Sequence, residues 1–326
     1  MGEFELLERI RQKLPQAGSR LRLGSGDDAA IAVPGGATAT SVDALVDGVH
    51  FRRSWSSPEQ IGRKALAAAL SDLAAMGAEP GEAYVVLGVP SDLDEDGCLE
   101  ILDGIVALAT ETGTSLAGGD VTRAPVLTLA MTVVGHAATA EQLVTRGGAR
   151  PGDVLAVTGD LGGAAAGLLT LERPELGETV AGGTLEQLRA RQLDPRPRLA
   201  AGRALAEAGA TAMIDVSDGL GGDAVHLAAA SGGGMRIEAG ALPLEEGVEE
   251  VAAGAGRDPI ELAACGGEDY ELLVALPAER FAEAVAAVRR QGTKLTRIGE
   301  VVAGEGVEIR LPDGRESRPS GFDQLG

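Results

Sequence analysis

With 326 residues and 44% hydrophobic content, the chain is long enough for two cores and too apolar for wholesale disorder. Its 49 acidic against 28 basic residues give a formal net charge of -21, which argues against a nucleic-acid backbone or an anionic membrane as partner and requires a cation between the protein and any phosphate it binds. Aromatic residues make up only 2% while glycines number 48, so the cores should consist of small aliphatic side chains with closely packed helices.

The spacing of Phe4, Leu6, Leu7, Ile10 and Leu14 predicts a helix over 3–14, charged and amphipathic rather than a signal sequence. No apolar run approaches the ~20 residues needed to span a bilayer. Cys98 and Cys265 lie far apart and outside any CxxC pair, so neither a disulfide framework nor a zinc site is indicated, and the expectation is a cytoplasmic chain in a reducing compartment. A glycine-rich turn at 24–26 precedes a strand around 38–46. Pro58 opens a helix that should run to about Met76, where Gly77 stops it. Two strands follow, "EAYVVLGV" and "VLTLAMTVVGH", separated by a helix from about Asp94 to Thr112.

Gly, Pro and charge cluster in "RGGARPGD", 146–153, and the domain boundary is placed there, giving domains 1–148 and 149–326. Beyond it come the strand "VLAVTG", the helix "LGGAAAGLLTL", helices near 184–191 and 197–208, and the turn "IDVSDGLGGD" leading into an Ala-rich helical run. Strands "MRIE", "ELLVAL" and "VEIRL" alternate with a helix at 278–290, so the whole is a mixed α/β chain.

Carboxylates recur in one local style, Asp beside Gly or Ser after a strand-like or glycine-rich approach: Asp27 and Asp28 in "GSGDDAA", Asp43 and Asp47 in "SVDALVDGVHF", Asp72 in "ALSDLAAMGA", Asp120 in "GGDVTR", Asp215 and Asp218 in "IDVSDGL". Asp72 is the most informative, because helical projection surrounds it with Ile61, Ala65, Ala68, Ala69, Ala75 and Met76. A carboxylate so placed must be neutralised, paired, or turned to a polar cavity; the plainer alternative is an Asp near a helix end bonding locally or to an arginine. For "GSGDDAA" the plain alternative is turn chemistry, and for Ser217 or Asp218 it is a helix cap, which would leave Asp215 unexplained. Oxygen donors scattered on loops, with Ser41 and Ser217 beside them, suit Mg²⁺ held partly by substrate phosphates. The three histidines, His50, His136 and His226, are not closely paired, which disfavours zinc chemistry. No GxxxxGK[ST] loop occurs, and Arg123 and Arg146 are the candidate fixed charges against phosphate, with ordinary salt bridges as their alternative role. "CGGEDYEL" adds Glu268 and Asp269 on a tight turn, with a polar turn over a packed Tyr270 as its plain reading. His50, Phe51 and Trp55 form one of the few aromatic patches, either buried packing or a seat for a flat ring.

In order along the chain, "GSGDDAA", "SVDALVDGVHF", "ALSDLAAMGA", "GGDVTR", "VTG", "IDVSDGL" and "GGEDYEL" resemble the thiamine-monophosphate kinase family from end to end, within the aminoimidazole ribonucleotide synthetase-like superfamily. The resemblance implies a two-domain α/β fold of that superfamily, with N-terminal ATP/Mg-binding domains pairing through their sheets in a homodimer and the C-terminal domain completing a substrate cleft. It implies ATP-dependent phosphorylation of thiamine monophosphate to thiamine diphosphate. It further implies that Asp28, Asp43, Asp72, Asp120, Asp215 and Ser41, joined by Asp27 and Asp218, are magnesium ligands; that Gly119, Asp120, Arg146 and Ser217 meet the nucleotide; and that His50, Glu268 and Phe322 meet the thiamine substrate. Asp72, Asp120 and Asp215 would then be the catalytic set. Val42 stands where the family often carries a second hydroxyl and can offer a metal only its backbone carbonyl. A ring-closing relative of the same superfamily, or a non-catalytic nucleotide or metal binder on the same scaffold, is the competing expectation.

Overall fold

The computed structural model describes residues 8–10, 12–14, 20–24 and 29–311, with the backbone of 316–317; Asp27, Asp28 and Phe322 therefore lie outside the described residues. Two compact units divide the chain, one formed by 1–73 with 78–140 and the other by 74–77 with 141–326. Among the described residues no helix is long and apolar enough to cross a membrane.

In the first unit, residues 8–10 and 12–13 are helical, within the stretch 3–14 whose apolar spacing predicts a helix. A short antiparallel pair follows, β1 (Leu21–Leu23) and β2 (Ile31–Ala32). The main sheet has four strands in the order β3 (Ala37–Val46), β6 (Thr128–Ala137), β4 (Glu79–Val89), β5 (Ser115–Arg123). The β3/β6 and β6/β4 pairs are antiparallel and β4/β5 is parallel. Along β6, Leu129, Met131 and Val133 are fully buried while Thr128, Ala130, Thr132 and Val134 are half-exposed. This period of two marks a sheet covered on one face and open on the other. The covering helices are α1 (Pro58–Ala75) and α2 (Glu95–Thr112). Asp94 caps α2 by accepting from the Gly97 amide at 2.9 Å, and Gly113 closes it in the left-handed region at φ 73°. Small residues let the two helices touch backbone to backbone: a Cβ on Gly62 would strike the Ile101 carbonyl, and one on Gly104 would strike that of Glu59.

The second unit is built on a seven-stranded sheet in the order β13 (Glu316–Ser317), β12 (Gly306–Arg310), β9 (Gly234–Glu238), β11 (Leu295–Val302), β7 (Val154–Thr158), β10 (Glu271–Leu276), β8 (Ala212–Val216). Every pair is antiparallel except β12/β9. Strands β7, β8 and β10 are buried at every residue, which is why they read as unbroken apolar runs rather than alternating ones. Its helices are α3 (Gly163–Glu172), α4 (Gly182–Leu193), α5 (Leu199–Glu207), α6 (Leu220–Ser231), α7 (Val248–Ala255), α8 (Pro259–Cys265) and α9 (Phe281–Arg290). A smaller core around Ala166, Leu188, Val251 and Leu262 unites α3, α4, α7 and α8.

Sequence patterning misses β1, β2, β5, β8, β11, β13, α7 and α8. In β5 and β11 the glycines that read as loop are demanded by packing inside the sheet, since a Cβ on Gly119 would strike the Val85 carbonyl and one on Gly299 that of Arg236. The helix expected from 278 begins as a 3-10 turn over Ala278–Arg280.

Candidate active site

In the first unit, Ser41, Asp43 and Leu45 lie opposite Val133, Met131 and Leu129, all buried, so the three share the helix-covered face of the sheet. Val42 points the other way and is 68% exposed. From α1, Asp72 reaches this row and accepts a hydrogen bond from the Ser41 hydroxyl through Oδ2. Around it Ile61, Ala65, Ala68 and Ala69 are buried, while Asp72 itself stays half-buried. A hydroxyl donor and partial exposure thus resolve the cost of a carboxylate on an apolar helix face. The Asp43 carboxylate accepts from the Ala44 amide at 2.7 Å.

The segment after β3 folds back on itself, with a bridge between Asp47 and Phe51 that buries the Phe51 ring. His50 Nδ1 accepts from the Val46 amide at 3.1 Å. The neutral ring therefore carries its proton on Nε2, which makes that atom a donor toward a ligand. Beneath it the buried Lys64 donates from Nζ to the His50 carbonyl at 3.0 Å, a support not evident from the sequence. The Arg52 guanidinium stacks over the Trp55 ring at 4.5 Å, so this patch is partly packing and partly open.

Gly119 and Asp120 sit on β5, at the edge of the sheet opposite β3. Register aligns Asp43 with Met131, Val85 and Gly119, and Asp120 with Val86 and Ala130 in the row that faces outward. Asp120 is exposed, and three strand spacings, about 14 Å, separate its strand from that of Asp43. One copy of this unit therefore brings Ser41 to Asp72 but leaves Asp120 apart from them. Among the described residues, no group of three or more His, Cys, Asp or Glu is arranged to hold a metal ion. Arg123, in this unit, and Arg146, in the other, are both exposed, and neither has an ion-pair partner among the described residues.

In the second unit two loops interlock at one end of the sheet. Asp215 is buried on β8, with Leu272 of β10 opposite it, and the chain then turns through Ser217 and Asp218 into α6. Neither Ser217 nor Asp218 caps that helix: the cap position is Gly219 at φ 107°, without a side-chain bond. The turn is held instead by Asp223, buried in the first turn of α6, whose Oδ2 accepts from the Ser217 and Asp218 amides at 3.0 and 3.1 Å. Burial, reinforced by the charges of Asp215 and Asp218, pushes the Asp223 carboxyl up to about 8.

The second loop, Gly266–Tyr270, lies against this turn. The Glu268 amide donates to the Ser217 carbonyl at 2.8 Å and the Tyr270 amide to that of Val216 at 2.9 Å. Glu268 and Tyr270, at φ 67° and 49°, are the non-glycine residues with left-handed backbone among those described, a costly geometry that persists where surroundings over-determine it. Between them Asp269 is 2% exposed and accepts from the Gly162 and Ala164 amides, at 2.7 and 3.1 Å, at the start of α3. Burial pushes its carboxyl up to about 7, against the opposing pull of the Arg191 guanidinium. Tyr270 is buried, as the polar-turn reading of this loop expects. Glu268 accepts a 2.5 Å hydrogen bond from Gln192 Nε2 on α4. The fully buried Glu271 beneath is held by Arg191 at 2.8 Å, Arg198 at 2.5 Å and the Thr158 hydroxyl at 2.7 Å. Sequence reasoning misses Asp223, Gln192 and this ionic cluster. One signal was present, a glutamate opening the otherwise apolar strand "ELLVAL".

Residues 26–137 match the family model described as AIR synthase related protein, N-terminal domain, and 150–312 match the corresponding C-terminal domain. The chain is 37% identical to the thiamine-monophosphate kinase of Salmonella typhimurium over 330 residues, covering 100% of this chain and 97% of that one. It is similar to the solved thiamine-monophosphate kinase of Stenotrophomonas maltophilia K279a, with a TM-score of 0.84, 35% identity and coverage of 97% and 98%. It is also similar to AaThiL solved in complex with AMPPCP and TMP, with a TM-score of 0.76, 30% identity and coverage of 98% and 96%.

Proposed function

Because the chain belongs to the thiamine-monophosphate kinase family of AIR synthase related proteins, we propose that it phosphorylates thiamine monophosphate to thiamine diphosphate with ATP, the last step in making that cofactor. The observation that carries this reading is the interlock in the second unit, which sets a carboxylate, Glu268, beside the Asp215–Ser217–Asp218 turn. A carboxylate favours a cationic thiazolium ring, and an oxygen-rich turn suits a metal-bound triphosphate. The pairing of an ATP analogue with TMP in AaThiL supports the same assignment.

The transfer forms a bond between the γ-phosphorus of ATP and a terminal phosphate oxygen of thiamine monophosphate and breaks the β–γ bridge, releasing ADP. That acceptor oxygen is already ionised near neutral pH, so no general base is needed and positioning with charge neutralisation does most of the work. His50 offers its Nε2 donor to the thiamine substrate, joined by Glu268 and Phe322; Gly119, Asp120, Arg146 and Ser217 meet the nucleotide. The donor set fits Mg²⁺, since Asp27, Asp28, Ser41, Asp43, Asp72, Asp120, Asp215 and Asp218, with the Val42 carbonyl, supply only oxygen. Bound there, Mg²⁺ would neutralise phosphate charge and favour in-line geometry.

A homodimer accompanies this reading, paired through the open sheet face that carries Val42 and Val86, and so does a cytoplasmic location. The test is formation of thiamine diphosphate from thiamine monophosphate, ATP and Mg²⁺. Product is expected only when all three are present, and none from free thiamine. ATP turnover driven instead by formylglycinamidine ribonucleotide would replace the kinase with a ring-closing relative.

A further inference from the structure

The kinase reading makes Glu268 a contact for the cationic substrate but leaves open what fixes its carboxylate, and three features of the second unit bear on that. The backbone under it is locked in a left-handed conformation by the Ser217 and Val216 carbonyls and by the Asp269 anchor on the start of α3. A rigid backbone sets the Cα–Cβ direction, yet a glutamate keeps three rotatable bonds beyond it. The carboxylate itself is gripped from another element, by the Gln192 amide at 2.5 Å, and Gln192 is only 5% exposed at the end of α4. An ionised carboxylate only accepts, so the amide must present its nitrogen. Next to it on α4, Arg191 is tied to the buried Glu271, so the helix end that carries Gln192 is itself anchored.

We propose that Gln192 is a positioning residue for substrate recognition: it holds the Glu268 carboxylate in the orientation from which it meets the cationic ring of thiamine monophosphate. This rests on the kinase reading and adds a residue that motif comparison does not mark. Gln192 acts through Glu268, so its removal weakens the binding of one substrate and spares the other.

The experiment is a double-mutant cycle in the full-length enzyme, with KM measured separately for thiamine monophosphate and ATP. Gln192→Met keeps length and removes the donor; it should raise KM for thiamine monophosphate roughly tenfold, the scale of a lost hydrogen bond to a charged group, with kcat and KM for ATP within about twofold of wild type. In a Glu268→Gln background the same change should add less than about twofold. Gln192→Asn, which keeps the amide but withdraws it by one methylene, should move the same KM in the same direction and serves if the Met variant does not fold. An unchanged KM in either folded variant, an equal rise in KM for ATP, or a full effect persisting in the Glu268→Gln background overturns the role of Gln192. Wild-type KM in Glu268→Gln alone would instead remove Glu268 from the substrate site, and the inference would fall with it.

Discussion

At the scale of single residues, Asp72 shows what apolar patterning conveys and where it stops. Its surroundings on α1 can be read from spacing alone, since Ile61, Ala65, Ala68 and Ala69 fall on its face and are buried. Its partner, the Ser41 hydroxyl, comes from a strand 31 positions away and no local pattern announces it. The proposed metal role makes Asp72→Asn a sharp probe: the amide preserves shape and can still bond Ser41, but loses the charge. Turnover at ordinary Mg²⁺ should fall roughly a hundredfold or more while the melting temperature shifts by only a few degrees. Wild-type activity in that variant would remove Asp72 from the metal site. Asp223 and Asp269 are the converse case. Each sits in a motif rich in acidic residues, yet both are spent on backbone amides, a distinction that depends on which side chain the fold turns inward.

Among the elements, the loop Gly266–Tyr270 joins two left-handed residues to a buried carboxyl, and pH should expose it. The folded Asp269 carboxyl titrates near 7 against an ordinary 3.8, so the folded chain keeps a proton there that the unfolded chain releases. That difference favours folding at low pH and is lost as pH rises from about 4 through about 7, a change of about 4 kcal/mol. Asp269→Asn cannot titrate. Measured against it by denaturant unfolding, wild type should lose relative stability across that window and run parallel above about pH 8; parallel curves throughout would contradict the burial of this carboxyl. The alternating strand β3, the unbroken apolar run of β10 and the helices α1 and α2 are legible in the sequence. Strands β5 and β11 are not, because close backbone approach selects the glycines that propensity reads as turns.

For the whole molecule, the two-part organisation and the mixed α/β class follow from composition and element order, whereas the sheet orders do not, since pairings such as β9 with β11 and β12 join distant segments. The four-stranded sheet leaves Val42 and Val86 at 68% and 44% exposure on its open face, in a chain whose charge of -21 would otherwise keep copies apart. Val42→Lys places a charge on that face and should convert the proposed dimer to monomer in sedimentation equilibrium. A dimer that persists undiminished would move the interface elsewhere. Because Asp120 lies across the sheet from Asp43, loss of activity together with dissociation would be the expected companion result.

The stacking of Arg52 on Trp55 has an optical consequence. Trp55 is the sole tryptophan in the chain, and it follows His50 by five positions. All indole emission therefore originates in the segment proposed to grip thiamine, under a guanidinium whose displacement alters the field at the ring. The molecule carries its own fluorophore at the place where occupancy matters, and a titration there needs no label.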